Sequence, residues 1–182
     1  RPGDIIFEDV NKDGKIDGLD RVRSEKTELP TLTGGFNIDL SYKGFYTSLF
    51  FQGAAGAIRN NYYEMQGEAG NYLKQNVEGR WTADNPDASK PRTWNRYNEY
   101  WRTCDNTYWV QSSNYVRLKN FEFGYNFSED ICKKLRLTRL QLYFSGQNLL
   151  TWTKVKDFDP ETTAATAYPL NRVYNLGLSL TF

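Results

Sequence analysis

Histidine is missing from all 182 residues, which removes the usual general base near neutral pH and the commonest zinc ligand. Cysteine occurs only as Cys104 and Cys132, too few for a disulfide framework and insufficient to fix a redox compartment. No apolar run approaches the roughly 18 residues that a membrane-crossing helix needs, and a mean hydropathy of -0.72 excludes a bundle of such helices. Charge of one sign is also lacking. The 23 Lys and Arg against 22 Asp and Glu leave +1, without the basic excess of a nucleic-acid binder, so no nucleic-acid partner is expected. Neither a G-x-S-x-G elbow nor a phosphate-cradling glycine loop occurs, and the sequence is not expected to be an enzyme. The chain starts Arg1-Pro2-Gly3 without an initiator Met or an apolar leader, so a removed signal peptide or a piece of a longer protein is expected.

Aromatic residues are what the sequence has in excess: 13 Tyr, 11 Phe and 5 Trp, in short alternating runs, beside 14 Gly. β-propensity, glycine-marked turns and period-two patterning point to an all-β chain with antiparallel pairing. Thr33 to Lys43 sets Phe36, Ile38, Leu40 and Tyr42 against Asn37, Asp39, Ser41 and Lys43. Lys43-Gly44 suits the centre of a tight turn, and Phe45 to Gly53 reads as the returning strand. In Tyr115 to Phe127 the stripe Phe121, Phe123, Tyr125 and Phe127 is out of phase with Val116 and Leu118, which a bulge near Lys119-Asn120 reconciles. Residues 128–138 read as a connection. Arg139 to about Leu149 alternates Leu140, Leu142 and Phe144 with Gln141, Tyr143 and Ser145. Arg172 to Phe182 carries Tyr174, Leu176, Leu178, Leu180 and Phe182 on one face. Residues 54–114 hold no clear strand beyond a short helix expected near Glu64 to Gln75, which is long for a connection.

Eleven strand residues at about 3.3 Å each reach roughly 36 Å, and a 45° tilt projects this to about 25 Å, the height of the apolar band of an outer-membrane barrel. A soluble sheet with one wet face gives the same alternation. The gaps between the five strands, about one, 61, 11 and 22 residues, match the short turns and long external loops of such barrels.

Several motifs, taken in order, carry a family resemblance. They are Pro2-Gly3-Asp4-Ile5, DVNKDGKIDGLDR at 9–21, GGFNIDLSYKGFYTSLFFQG at 34–53, YVRLKNFEFGYNF at 115–127, LQLYFSGQNLLTWTK at 140–154, FDPE at 158–161 and YNLGLSLTF at 174–182. The sequence resembles the C-terminal β-barrel portion of SusC-like TonB-dependent outer-membrane receptors. The resemblance implies a C-terminal segment of a 22-stranded antiparallel transmembrane β-barrel, with about five long strands and long external loops. It divides the chain into an external loop at 1–32 and barrel strands at 33–182, with the external loop 54–114 inside them. It also implies import of glycans or peptides across the cell outer membrane of bacteria of the Bacteroidetes type. The implied partners are a SusD-like surface lipoprotein, outer-membrane lipid on the apolar rows, and the TonB complex through an N-terminal region outside these residues.

Residues 9–20 are a calcium-loop-like motif. Asp9, Asn11 and Asp13 take loop positions 1, 3 and 5, Gly14 the turn, Lys15 a backbone carbonyl at position 7, Asp17 position 9 and Asp20 position 12. Residues 1–20 hold six acids against Arg1, Lys12 and Lys15, a density that favours a cation or close salt bridges. Asp20 replaces the longer Glu usual at position 12, which shortens bidentate reach and shifts the preference towards weaker calcium or magnesium binding. A structural Ca2+ is therefore expected, against an empty Asx-turn loop held by Asn11, Asp13 and Gly14. In the long connection, Trp94, Tyr97, Trp101 and Trp109 are candidate contacts for a glycan or a partner protein, and the same rings serve equally to pack the loop on itself. Asp157, Asp159 and Glu161 are enough carboxylates for glycoside hydrolysis, but acids flanking Pro160 fit a structural turn better. Two other readings remain open here: a secreted, calcium-stabilised carbohydrate-binding β-sandwich, and a dockerin-like module, of which only one calcium-loop copy is found.

Overall fold

The structure, a computed structural model, describes residues 1–60, 74, 78–92, 106–156, 158–162 and 168–182. Among the described residues, seven strands run in the order β1 (Leu32–Tyr42), β2 (Phe45–Ala55), β3 (Ile58–Asn60), β4 (Val110–Ser112), β5 (Tyr115–Asn126), β6 (Arg139–Thr153) and β7 (Val173–Thr181). The α-helix α1 (Glu129–Lys134) joins β5 to β6, and short 3-10 turns span Gly18–Asp20 and Thr107–Trp109. The strands form a five-stranded antiparallel sheet ordered β1-β2-β5-β6-β7 and a two-stranded sheet of β3 with β4. Contacts divide the chain into a unit of residues 1–25 and 60–110 and a unit of residues 26–59 and 111–182, which holds the large sheet.

The pairing follows from the alternation. Phe36 lies opposite Phe51, Ile38 opposite Leu49 and Tyr42 opposite Phe45, so the apolar rows of β1 and β2 share one face. That face continues across β5 through Thr47 opposite Phe123 and Leu49 opposite Phe121. It passes to β6 and β7 through Phe123 opposite Phe144 and Phe144 opposite Leu176. Aromatic stacking fixes the row, with ring centroids 4.8 Å apart for Phe36 and Phe51 and 6.3 Å for Phe144 and Tyr174.

The expected bulge is present: the register shifts between Leu118 and Asn120, against both neighbouring strands. It returns Val116 and Leu118 to the face of Phe121. The β1–β2 turn also falls at Lys43 and Gly44, both with positive φ. Strand β6 runs four residues beyond the expected end at Leu149, because Asn148 takes a positive φ of 55° and absorbs the irregularity. The expected connection at 128–138 contains α1, with Glu129 and Asp130 in its first turn and Lys133 and Lys134 in its last, as the helix dipole favours. The helix expected near Glu64 to Gln75 lies outside the described residues except for Lys74.

The architecture corrects the sequence expectation. In place of a C-terminal portion of a 22-stranded transmembrane β-barrel, the described residues form a small open sheet, in which β1 and β7 are unjoined edges, with the short helix α1. Among the described residues no closure occurs, and the strands are not shown as transmembrane β-strands. The physical reason is that period-two alternation declares only that two faces differ. Closure depends on strand number, tilt and shear, none of which is written in the alternation of five strands. The sandwich arrangement is not formed either, since Leu176 is 77% and Leu40 61% exposed on the apolar face instead of buried against another sheet. Among the described residues no helix is long and apolar enough to cross a membrane.

Candidate functional site

The opposite, polar face of the sheet carries the most organised group of side chains. Tyr115 and Arg117 share a phase of β5 that opposes Ala54 and Gln52 of β2, and Lys119 sits in the bulge. Segment 158–162 after β6 folds onto them. Arg117 Nη2 donates to both carboxylate oxygens of Asp159, at 2.8 and 2.9 Å, and lies 3.4 Å from Glu161 Oε2. Tyr115 donates its hydroxyl to Glu161 Oε1 at 2.8 Å, and Lys119 Nζ lies 3.5 Å from Glu161 Oε2. Arg59 of β3 donates to the Asp159 carbonyl at 3.0 Å. The turn is closed from within as Glu161 N donates to Asp159 Oδ1 and Thr162 Oγ1 to the Asp159 carbonyl. Arg117 is only 2% exposed, so the pair is held in a medium where charge attraction is strong and an unpaired charge is costly. Burial raises the Tyr115 hydroxyl above its ordinary pKa and the hydrogen bond to Glu161 adds to this, so the phenol stays a donor.

This geometry serves structure rather than bond chemistry. Asp159 and Glu161 are committed to Arg117, Tyr115 and Lys119 and so do not face each other across an open cleft as a hydrolytic pair would. Asp157 lies outside the described residues. Further along the polar face, Tyr46 donates to Glu122 Oε1 at 2.7 Å and accepts from the Gln141 amide. The Tyr143 ring covers Gly177 on the neighbouring strand so closely that an added Cβ would lie 2.2 Å from it. The Arg117 group was not anticipated from sequence. Its signal was the phase of Tyr115, Arg117 and Lys119 against Val116 and Leu118, a polar row whose cations require buried acids somewhere.

In the other unit, the acidic loop is closed by its own side chains. Asp9 accepts from Asp13 N at 3.2 Å and Gly14 N at 2.8 Å, and Asn11 Oδ1 accepts from Asp13 N at 3.0 Å. Asp13 accepts from Lys15 N at 2.8 Å and from the Asn11 amide at 3.0 Å. Asp17 accepts from Leu19 N at 2.8 Å, while Asp20 accepts from Val10 N at 2.9 Å and Asp17 N at 2.8 Å. The donors Asp9, Asn11, Asp13, Asp17, Asp20 and the Lys15 carbonyl are all hard oxygens, which suits calcium chemically. Among the described residues, however, no three acidic groups converge as a metal-holding set.

The backbone bond from Asp17 above all, with those from Val10 and Asn11, holds the Asp20 carboxyl below its ordinary pKa against an opposing cost of desolvation. A depressed carboxyl stabilises the loop above its unfolded pKa, and that contribution is lost as pH falls through the lower folded value. Acidification below the ordinary aspartate range is therefore expected to release the Val10 and Asp17 amides, and amide hydrogen exchange at these two positions should accelerate there beyond its intrinsic pH trend.

Of the candidate aromatic contacts, Trp94, Tyr97 and Trp101 lie outside the described residues. Trp109 is buried, with its ring edge-on to Tyr108 at 4.8 Å. Cys132 is a buried free thiol whose Sγ donates to the Phe127 carbonyl, and Cys104 lies outside the described residues.

No family model matches the sequence. Comparison with curated proteins finds TonB-dependent receptor P3 of Formosa agariphila, 34% identical over 199 aligned positions that take in 100% of this chain and 19% of the receptor. TonB-dependent receptor P26 of the same organism is 30% identical over 99% of this chain and 20% of its own length. Among solved structures, the RagAB peptide importer matches in its closed-closed state with a TM-score of 0.73 and 25% identity, over 92% of this chain and 19% of the importer chain. Its open-open state matches with a TM-score of 0.69 at the same identity and coverage. The chain thus spans about a fifth of the length of the relatives it matches. These relatives are receptors and importers rather than enzymes, in agreement with the non-catalytic expectation.

Proposed function

We propose that the chain is part of a TonB-dependent uptake protein associated with the outer membrane, and that it acts by binding and translocation instead of bond chemistry. The observation that carries this reading is the 34% identity to a TonB-dependent receptor along the whole chain. The carboxylates of segment 158–162, spent on ion pairs, agree with it. A finer reading names the cargo as peptides or glycans, the partner as a SusD-like surface lipoprotein, and the energy source as the TonB complex, reached through the rest of the longer protein. Trp94, Tyr97 and Trp101 are proposed contacts for cargo or partner, with Trp109 as buried support. Affinity purification of the tagged parent protein from solubilised outer membranes tests the partner. A stoichiometric surface lipoprotein is expected by mass spectrometry, and recovery of the parent protein alone contradicts that part of the proposal.

A second proposal concerns residues 9–20. Calcium would be held by Asp9, Asn11, Asp13, Asp17, Asp20 and the Lys15 carbonyl, ordering the loop without entering transport. The oxygen-only donor set supports it, and a weak site is expected of an extracellular module. Calorimetry on the folded full-length protein should register binding heat at millimolar calcium, and its absence would rule the ion out.

A further inference from the structure

Two Asp-Gly pairs occur in the same exposed loop, Asp13-Gly14 and Asp17-Gly18. Glycine after aspartate offers no Cβ to shield the side-chain carboxyl from the following main-chain nitrogen, so both pairs are intrinsically prone to rearrangement. The fold treats them differently. Gly14 N is held by Asp9 Oδ2 at 2.8 Å, and both oxygens of Asp13 are engaged, one by Lys15 N and the other by the Asn11 amide. Gly18 is the first residue of the 3-10 turn, where a main-chain N–H has no partner within the turn, and among the described residues it donates to nothing. Asp17 is fixed beside it with φ -145° and ψ -161°, its side chain accepting from Leu19 N and, in the capping box, from the Asp20 amide, while the Gly18 amide between them is left out.

From this contrast we propose that Asp17, and not Asp13, is the isoaspartate modification site of the loop. The Gly18 nitrogen attacks Cγ of the protonated Asp17 carboxyl. A C–N bond forms, the amide hydrogen and the carboxyl hydroxyl leave as one water, and a five-membered succinimide closes. Water then adds to either ring carbonyl. Opening at the main-chain carbonyl routes the backbone through Cγ and gives isoaspartate, while opening at the other regenerates aspartate. Atoms balance with water as the sole co-reactant, and nothing is oxidised or reduced. The product carries an extra methylene in the main chain. It loses the reciprocal cap in which the Asp17 side chain receives the Asp20 amide and the Asp20 side chain receives Asp17 N, together with the bond from Leu19 N.

The test is to age the full-length protein at neutral pH, folded and in urea, and quantify isoaspartate at each position by electron-transfer fragmentation of its peptides. In the folded protein, conversion at Asp17 is expected to exceed that at Asp13 several-fold, and in urea the two should approach equality. Asp9→Ala, which frees Gly14 N, should raise conversion at Asp13. Equal conversion in the folded protein, an excess at Asp13, an excess at Asp17 that persists in urea, or no response to Asp9→Ala would each overturn the assignment.

Discussion

Replacing Arg117 with methionine is expected to destabilise the sheet-bearing unit by about 3–5 kcal/mol, the cost of stranding a partner charge where an ion pair was buried. Arg117 is 2% exposed and the Asp159 side chain 9%, so water does not replace the lost guanidinium. The Asp159 carboxylate would keep its turn bond from Glu161 N and the Asp159 carbonyl its bond from Arg59, and Glu161 would retain Tyr115 and Lys119. The same physics predicts partial recovery when the acids are neutralised too, because the cost of the single variant lies in an uncompensated buried charge. Arg117→Met combined with Asp159→Asn and Glu161→Gln should therefore unfold at higher denaturant than Arg117→Met alone. Urea unfolding followed by tryptophan fluorescence measures both. A single-variant loss under about 1 kcal/mol, the scale of a surface pair, would contradict the buried-clamp account.

Gly44→Val is expected to cost about 2 kcal/mol or more by the same measurement. The β1–β2 turn has φ of 47° at Lys43 and 90° at Gly44, the paired positive angles of a primed hairpin turn. A left-handed conformation costs a residue with a side chain roughly 1–2 kcal/mol. Space adds to the penalty: a Cβ on Gly44 would lie 2.8 Å from the Asn126 carbonyl oxygen, which is backbone at the end of β5. Asn126 N in turn donates to the Gly44 carbonyl at 2.8 Å, so the two chains cannot separate without breaking that bond. Lys43→Gly supplies the opposite sign, since it relieves a positive φ at an exposed position, and should leave stability unchanged or slightly raised.

Local features of the sheet were legible because each rests on neighbours in sequence. Lys43-Gly44 announces a turn through glycine, and the phase change from Leu118 to Phe121 announces a bulge. Closure was not legible: Phe36, Leu40 and Leu176 read the same whether a sheet is open, closed or stacked. The clamp was hidden for a different reason. Arg117 and Asp159 stand 42 positions apart, and their meeting depends on the β5–β6 pairing and on the path after β6. In the acidic loop, spacing identified the oxygen donors but not their partners, which are loop amides such as Gly14 N and Val10 N. Helix α1 went unseen because six residues are too few for a 3.6-residue period to emerge.

The central functional claim is energised uptake. It is tested most directly by following fluorescent peptides and oligosaccharides into cells that carry or lack the parent gene, with and without a protonophore that collapses the energy supply of TonB. The account predicts that accumulation of at least one cargo class disappears on gene deletion, returns on complementation and is abolished by the protonophore. Uptake of both classes that is indifferent to the gene, or gene-dependent uptake that persists without the proton gradient, would contradict it.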